Sequence, residues 1–284
     1  MKAYLTYKTQ IKGFSDVAAT VKMTEKIAAS TVHRLKHEVL NLQDYIGSIE
    51  RVLARLSRFY VKKDHVFFQH TSGNRALVVL SGDKGLVGDL WHSLARAFVS
   101  ALDDYRAIIV LGKRGSHYLR EEHAPVLQSF KQDGIIPTQE EIALLTKTIF
   151  DGLKKKAFTR VDILYPRFVS LAQQKAVFVP FVPFAFQPDH AQDDSSPQHA
   201  LGIPIFEPSR YAIFDRLLQK YMQLFVYKLV LETKLSECSA RTVAMEHASV
   251  KTKELIQTLN HDFKKEQRRL ITQRQLESFA THRT

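Results

Sequence analysis

"VKMTEKIAASTVHRLKHEVLNLQDYIGSIERVLARL", residues 21–56, is the stretch that decides the fold. Starting from Val21 it sets Ala28, Leu35, Leu42, Ile49 and Leu56 at seven-residue intervals, with Val32, Val39, Ile46 and Leu53 interleaved as a second series. Steps of four and three alternate, which leaves one apolar stripe along an α-helix, the mark of a coiled-coil seam. A repeat of 3.5 residues falls short of the 3.6 of a straight helix, so two such helices wind left-handedly around each other. The pattern predicts a helix over residues 17–58.

A partner stands at the other end of the chain. Leu217, Leu224, Leu231, Cys238, Met245, Thr252 and Leu259 repeat every seven residues, and Phe214, Tyr221, Leu235, Ile256, Phe263 and Leu270 follow a parallel series interrupted by Lys228, Thr242 and Ser249. Neither stretch contains proline, and Ser209, after Pro208, is placed to cap the first turn of the second. At 1.5 Å per residue the two helices would run roughly 60 and 105 Å. A folded middle segment separates them, so they are expected to pair as an antiparallel hairpin, the longer C-terminal helix projecting past its partner. Leu35, Leu42 and Ile49 would then share a seam with Leu224, Leu231, Leu235, Met245 and Leu259. Cys238 and Met245 read as packing residues of that seam, not as a nucleophile or a ligand.

The middle of the chain changes period. Residues 75–80, 106–111 and 160–165 read as short β-branched strands, and stretches near 86–102 and 138–156 carry helical spacing. Strand alternating with helix predicts a small, largely parallel, Rossmann-like α/β domain. The expected division is a coiled-coil helix over 1–70, the α/β domain over 71–206 and a second coiled-coil helix over 207–284. The polar, proline-containing stretch 187–202 reads as a mobile surface loop.

"SGDKGLVGDL", residues 81–90, invites a nucleotide-binding reading that its residues refuse. A P-loop needs lysine and a hydroxyl after its last glycine, whereas Gly88 is followed by Asp89 and Leu90; the spacing of Gly82, Gly85 and Gly88 also misses the dinucleotide pattern. The loop is expected to be the first strand-to-helix turn. Ser81 lacks a nucleophile elbow, and Asp83 and Asp89 make no defined carboxylate pair, so neither a catalytic residue nor a cofactor site is expected.

Composition narrows the class. No run of about 18 apolar residues exists, and the nearest, "AVFVPFVPFAF" at 176–186, is broken by Pro180 and Pro183. No cleavable signal or transit peptide is expected at the N-terminus. A single cysteine, Cys238, rules out an intrachain disulfide and a cysteine-based zinc site. No paired imidazoles are expected on one helix face, so no metal is expected either. A formal net charge of +12 calls for an acidic partner. The basic residues are spread along the chain without an aromatic-and-basic motif, so a protein partner with acidic loops is allowed equally with nucleic acid; only the resemblance given below sets nucleic acid aside.

Within this frame the residues carry a resemblance. "SECSARTVAMEHAS", Ser236 to Ser249, resembles the "SEHAARMVAMKNAT" stretch of the gamma subunits of F-type ATP synthases, and "ITQ" at 271–273 sits at the matching distance downstream. "LSGDKGLVGDLW" is similar to that family's "TSDRGLCGGLN" loop, "LGKRGSHYLR" to its "GKKGRDFF", "YPRFVS" to its "YTRFKS", "FEPS" to its "YEPS" and "IAASTVHRLK" to its "VAASKMRRAQ". The likeness runs in order along nearly the whole chain. It implies a divergent central-stalk rotor whose two helices form an axle within a head of alpha and beta subunits and whose α/β domain meets epsilon and the membrane ring of c subunits. Such a chain makes no ATP itself and meets the membrane only through the complex, at the cytoplasmic face of the bacterial plasma membrane. The resemblance places head contacts at the end of the last helix, at Lys264, Lys265, Gln267, Arg268, Thr272 and Gln273, and at Arg241, which matches the family's arginine before "VAM". Gln267-Arg268 stands where the family has Arg-Gln, Thr24 where it has methionine, and "VAATVKMT", residues 17–24, replaces its basic "TQKITKAM". These departures leave a specialised F-type-like ATPase as an alternative setting, a basic coiled-coil nucleic-acid-binding protein as the reading from another class, and a small-molecule enzyme as a third.

Overall fold

The computed structural model describes residues 2–57, 67, 73–132, 134, 136–183, 207 and 209–281. The stretch 187–202, expected as a loop, and Pro208 lie outside them. Two helices, α1 (Lys2–Ser57) and α5 (Arg210–Thr281), enclose in sequence β1 (Arg75–Leu80), α2 (Leu90–Val99), β2 (Ala107–Leu111), α3 (Lys113–Glu121), β3 (Val126–Phe130), α4 (Gln139–Lys154), β4 (Arg160–Phe168) and β5 (Gln174–Val182). By its contacts the chain falls into two compact units, one of Thr31–Ala240 and one of Met1–Ser30 with Arg241–Thr284.

In the larger unit one five-stranded sheet has the order β3-β2-β1-β4-β5. Strands β1 to β4 run parallel and β5 closes the edge antiparallel to β4. The central strand, Arg75-Ala-Leu-Val-Val-Leu80, is apolar at five successive positions because both faces of the sheet are covered. Ala76, Val78 and Leu80 point to a face packed by Ile142, Leu145, Ile149 and Leu153 of α4, Ile46, Ile49 and Leu53 of α1, and Phe214 to Val230 of α5. Leu77 and Val79 point to the other face, against Leu90, Trp91, Leu94 and Phe98 of α2 and Leu119 of α3. Helix α4 starts on a capping box, Thr138 accepting the Glu141 N–H while the Glu141 carboxylate accepts the Thr138 N–H. Ser209 caps α5 by accepting the Ala212 N–H at 3.2 Å.

The helices of this unit pair in opposite directions. Val32 and Leu35 of α1 cluster with Leu231, Leu235 and Cys238 of α5, while Glu50 further along α1 accepts the hydroxyl of Tyr221 further back on α5. Leu35, Ile49, Leu231 and Leu235 are buried, and Leu42 and Leu224 are half-buried.

The smaller unit is helix against helix. Every seam-facing residue of α1 here recurs at steps of three and four: Tyr4, Tyr7, Ile11, Phe14, Ala18 and Val21 are half-buried and Ala28 is buried. On α5 the matching series is Met245, Ser249 and Thr252, all buried, then Ile256, Leu259 and Phe263, half-buried. Tyr4 stacks on Phe263, ring centroids 4.7 Å apart.

Four features differ from the sequence-based expectation. Helix α1 begins at Lys2 instead of residue 17, because the aromatic and apolar residues Tyr4 to Phe14 continue the seam. Helix α3 and strands β3 and β5 were not expected. Glu25, a charged residue where the second apolar series of α1 would place an apolar one, takes its place in the register half-buried, as does Thr24. His33 and His37 do stand one helical turn apart, ring centroids 4.9 Å, correcting the expectation of no paired imidazoles on a helix face. Both are exposed, and no third donor joins them: among the described residues no group of three His, Cys, Asp or Glu forms a metal site.

Candidate functional site

The glycine turn after β1 sits where doubly wound sheets hold phosphates, at the carboxyl ends of the strands beside the helix that follows β2. Here the protein fills that place with its own atoms. Ser81 Oγ donates to the Leu111 carbonyl at 2.8 Å and accepts the Gly115 N–H at 2.9 Å. Gly112, at φ 100°, lies so close that a Cβ would stand 2.5 Å from the Ser81 carbonyl oxygen. Asp83 then accepts the Lys113 N–H at the first turn of α3, 2.7 Å, and the Gln132 N–H beyond β3, 3.3 Å. A carboxylate of the chain thus occupies the anion position that the N-terminus of α3 offers. The Trp91 indole N–H closes the turn by donating to the Lys84 carbonyl at 3.1 Å. Ser81 and Asp83 therefore serve the architecture of the turn.

The second half of the site is the part of α5 that crosses this turn. Residues 229–240 are buried on every side except at half-buried Glu232, although they include Thr233, Lys234, Ser236, Glu237 and Ser239. Each polar group finds a partner. Thr233 and Ser239 donate back to the carbonyls of Leu229 and Leu235. Ser236 donates to the Pro166 carbonyl at the end of β4, 2.7 Å. Lys234 and Glu237 form an ion pair of 3.0 Å with side chains 8% and 3% exposed. Glu237 lies directly over the turn: a Cβ added to Gly82 would meet its Oε2 at 2.5 Å and Trp91 at 2.6 Å. Burial pushes the Glu232 carboxyl above the ordinary glutamate range, against the opposing pull of Lys228, Arg167 and hydrogen bonds from the Tyr165 hydroxyl and the Phe168 backbone. The crevice that would take a nucleotide in an enzyme of this topology is filled by a polar turn of the last helix.

Sequence reasoning missed Lys234, Ser236 and Glu237, and it weighed Asp83 only as half of a carboxylate pair. The available signal was the run of hydroxyl and charged residues between two seam positions, Leu231 and Cys238, where a coiled coil alone would present that face to water.

The smaller unit carries the residues expected to meet a partner. Lys264, Lys265, Gln267, Arg268, Thr272 and Gln273 are all exposed, and Arg241 is half-buried. Thr272 turns its hydroxyl back to the Arg268 carbonyl and Gln273 donates to Glu277, so these two are engaged within the helix. Met245 is buried and Leu259 half-buried in the seam. Past Leu270 the helix changes character: residues 271–279 are exposed around the full circumference, including Ile271 at 49%, Leu276 at 65% and Phe279 at 73%. At 100° per residue Ile271, Leu276 and Phe279 fall within roughly 140° of arc, so the three large apolar side chains share one broad exposed face.

These features define a class: two long helices, one toward each end of the chain, that enclose in sequence a doubly wound domain whose nucleotide crevice is filled from within. A family model for ATP synthase matches residues 5–277. The chain belongs to the ATP synthase family. It is 26% identical over 273 residues to the ATP synthase gamma chain of Nitrosospira multiformis, covering 93% of each chain, and 28% identical over 271 residues to that of Burkholderia lata, covering 93% of this chain and 92% of the relative. In fold it resembles a chain in the rotor of Euglena gracilis mitochondrial ATP synthase, with a TM-score of 0.64 at 15% identity over 95% of this chain and 99% of that one. A chain of the Tetrahymena thermophila central stalk and c-ring assembly gives a TM-score of 0.60 at 20% identity over 81% and 99%.

Proposed function

We propose that the chain is the central-stalk rotor, or gamma, subunit of an F-type ATP synthase or ATPase, and that it carries torque without catalysing a reaction itself. The observation that carries this reading is the end of α5, exposed on all sides and studded with Ile271, Leu276 and Phe279. A helix end of that kind fits a sleeve made by other subunits, and the alpha and beta subunits of the head would supply it. Epsilon and the c-ring would meet the α/β domain, and the assembly would lie on the cytoplasmic face of a bacterial plasma membrane, in keeping with the bacterial relatives. Among the described residues no helix is long and apolar enough to cross a membrane.

In this reading Lys264, Lys265, Gln267, Arg268, Thr272, Gln273 and Arg241 are the head contacts. Moving one charge through 100 mV yields about 2.3 kcal/mol, so several ions must be accumulated for each ATP and the shaft must hold the sum. Contacts that alternate as the shaft turns must each be shallow, and exposed ion pairs of about 0–1 kcal/mol meet that condition.

The test is co-purification followed by pumping. Detergent extracts should yield the chain together with alpha- and beta-type subunits. The double variant Lys264→Ala/Arg268→Ala should assemble yet pump fewer ions per ATP hydrolysed. ATP hydrolysis by the isolated chain, or steeply salt-dependent DNA binding in place of co-purification, would overturn the reading. Unchanged pumping by the assembled double variant would remove Lys264 and Arg268 from the contact set.

A further inference from the structure

We propose that Lys234, Ser236 and Glu237 form a register lock that fixes the rotation of α5 about its own axis relative to the sheet. The lower part of α5 meets the sheet through Phe214, Leu218, Met222, Val226, Leu229 and Val230, an apolar stripe. Apolar contact chooses a face, but it is non-directional and tolerates repacking, so it sets the angle of a helix only loosely.

The next turns of the helix behave differently. At Ser236 a single hydroxyl reaches the Pro166 carbonyl, and at Glu237 a carboxylate held by Lys234 fits the hollow left by the missing side chain of Gly82. Both contacts are directional, and both fall on the carboxyl ends of adjacent parallel strands, β1 and β4. Rotating α5 by one residue's worth, about 100°, would carry Ser236 away from Pro166 and bury Lys234 and Glu237 against apolar side chains.

Energetics favour reading the pair as a device for uniqueness. Desolvating two charges cancels most of what their attraction returns, so a buried ion pair is a poor source of stability, and its best-attested use is to select one register over its neighbours. A seam of leucine would hold this helix as firmly. It would not exclude the adjacent rotations.

The register itself follows from the contacts; its consequence for coupling rests on the rotor reading, where a shaft free to rotate on its mount would lose angle at every step. The two are tested separately. In the full-length chain with Cys238→Ala, spin labels at Leu144→Cys on α4 and Lys220→Cys on α5, both exposed, report the angle of α5 as a distance distribution. The locked chain should give one narrow peak. The apolar replacement Lys234→Met/Glu237→Leu should keep or raise the melting temperature, yet add population displaced by on the order of 5–8 Å, the shift that one residue of rotation produces at the helix surface. Ser236→Ala, which removes one tether and no volume to speak of, should broaden the peak in the same sense and serves if the double variant fails to fold. A single unshifted peak in a folded variant would overturn the lock. In the assembled complex the double variant should retain ATP hydrolysis and lose ion pumping. A loosened register with pumping intact would leave the lock standing and count against the coupling role that the rotor reading gives it.

Discussion

At Gly82 two side chains, those of Glu237 and Trp91, already use the space a Cβ would need. Gly82→Ala should therefore destabilise the chain by about 1–3 kcal/mol, the usual cost of overpacking. Urea unfolding followed by circular dichroism reads it directly, and a loss below about 0.5 kcal/mol would mean that Glu237 can move aside. Glu232 invites a different test. Its folded-state pKa is raised because burial outweighs the pull of Lys228, Arg167, Tyr165 and the Phe168 backbone. For an acid of that kind the linked stability is fully present below the unfolded pKa, near 4.3, and is lost as pH rises through the folded value. Glutamine keeps an acceptor for the Tyr165 hydroxyl and removes the charge. Glu232→Gln should thus be more stable than the parent chain at pH 8, the gap closing as pH falls into the ordinary glutamate range. A gap that widens on acidification would show that the ionised carboxylate is the favoured form.

At the scale of elements, the seam is where the sequence was most readable. Leu35 is fully buried between the helices, against Leu231, Leu235 and Cys238. Leu35→Ala should cost about 2–5 kcal/mol, seen as a lower urea midpoint at unchanged slope, whereas Leu40→Ala on the exposed face of the same helix should change stability by less than about 0.5 kcal/mol. Similar losses at both positions would contradict the pairing of α1 and α5. The heptads of both long helices were legible from their period, β1, β2 and most of β4 from short β-branched apolar runs, and the glycine turn from its three glycines straight after β1. Three elements were not, for separate reasons. Helix α3 faces the sheet with Gly115, Ser116 and Leu119, so close packing replaces apolar periodicity. Strand β3 is an edge of the sheet with mostly exposed positions, which erases alternation. Strand β5 contains Pro180, a residue that argues against a central strand and is tolerated here because β5 is the opposite edge. The candidate site was legible only in outline. The heptads expose nothing about Ser236 or Glu237, because a periodic pattern tells which face of a helix is buried and not that a second body covers its other face.

The proposed rotor makes its sharpest demand on the end of α5. Residues 271–279 are exposed on every face, so among the described residues a chain ending after Leu270 gives up little packing, as from a segment free to fray. Its unfolding free energy should match that of the full chain within about 0.5 kcal/mol. The same truncation removes Ile271, Leu276 and Phe279, the apolar groups that the head would cover, along with Thr272, Gln273 and Arg274. In a reconstituted complex it should weaken retention of the chain by the alpha and beta subunits and lower coupled ATP synthesis, while the basic residues 264–269 remain to give partial association that falls with added salt. That division separates two contributions: salt-sensitive attraction from the cations, and salt-insensitive anchoring from the apolar end. A truncated chain that assembles and couples as well as the full one at high salt would show that the exposed end meets no partner, and the sleeve would have to be sought elsewhere. A truncated chain that unfolds would show that these residues pack within the molecule after all.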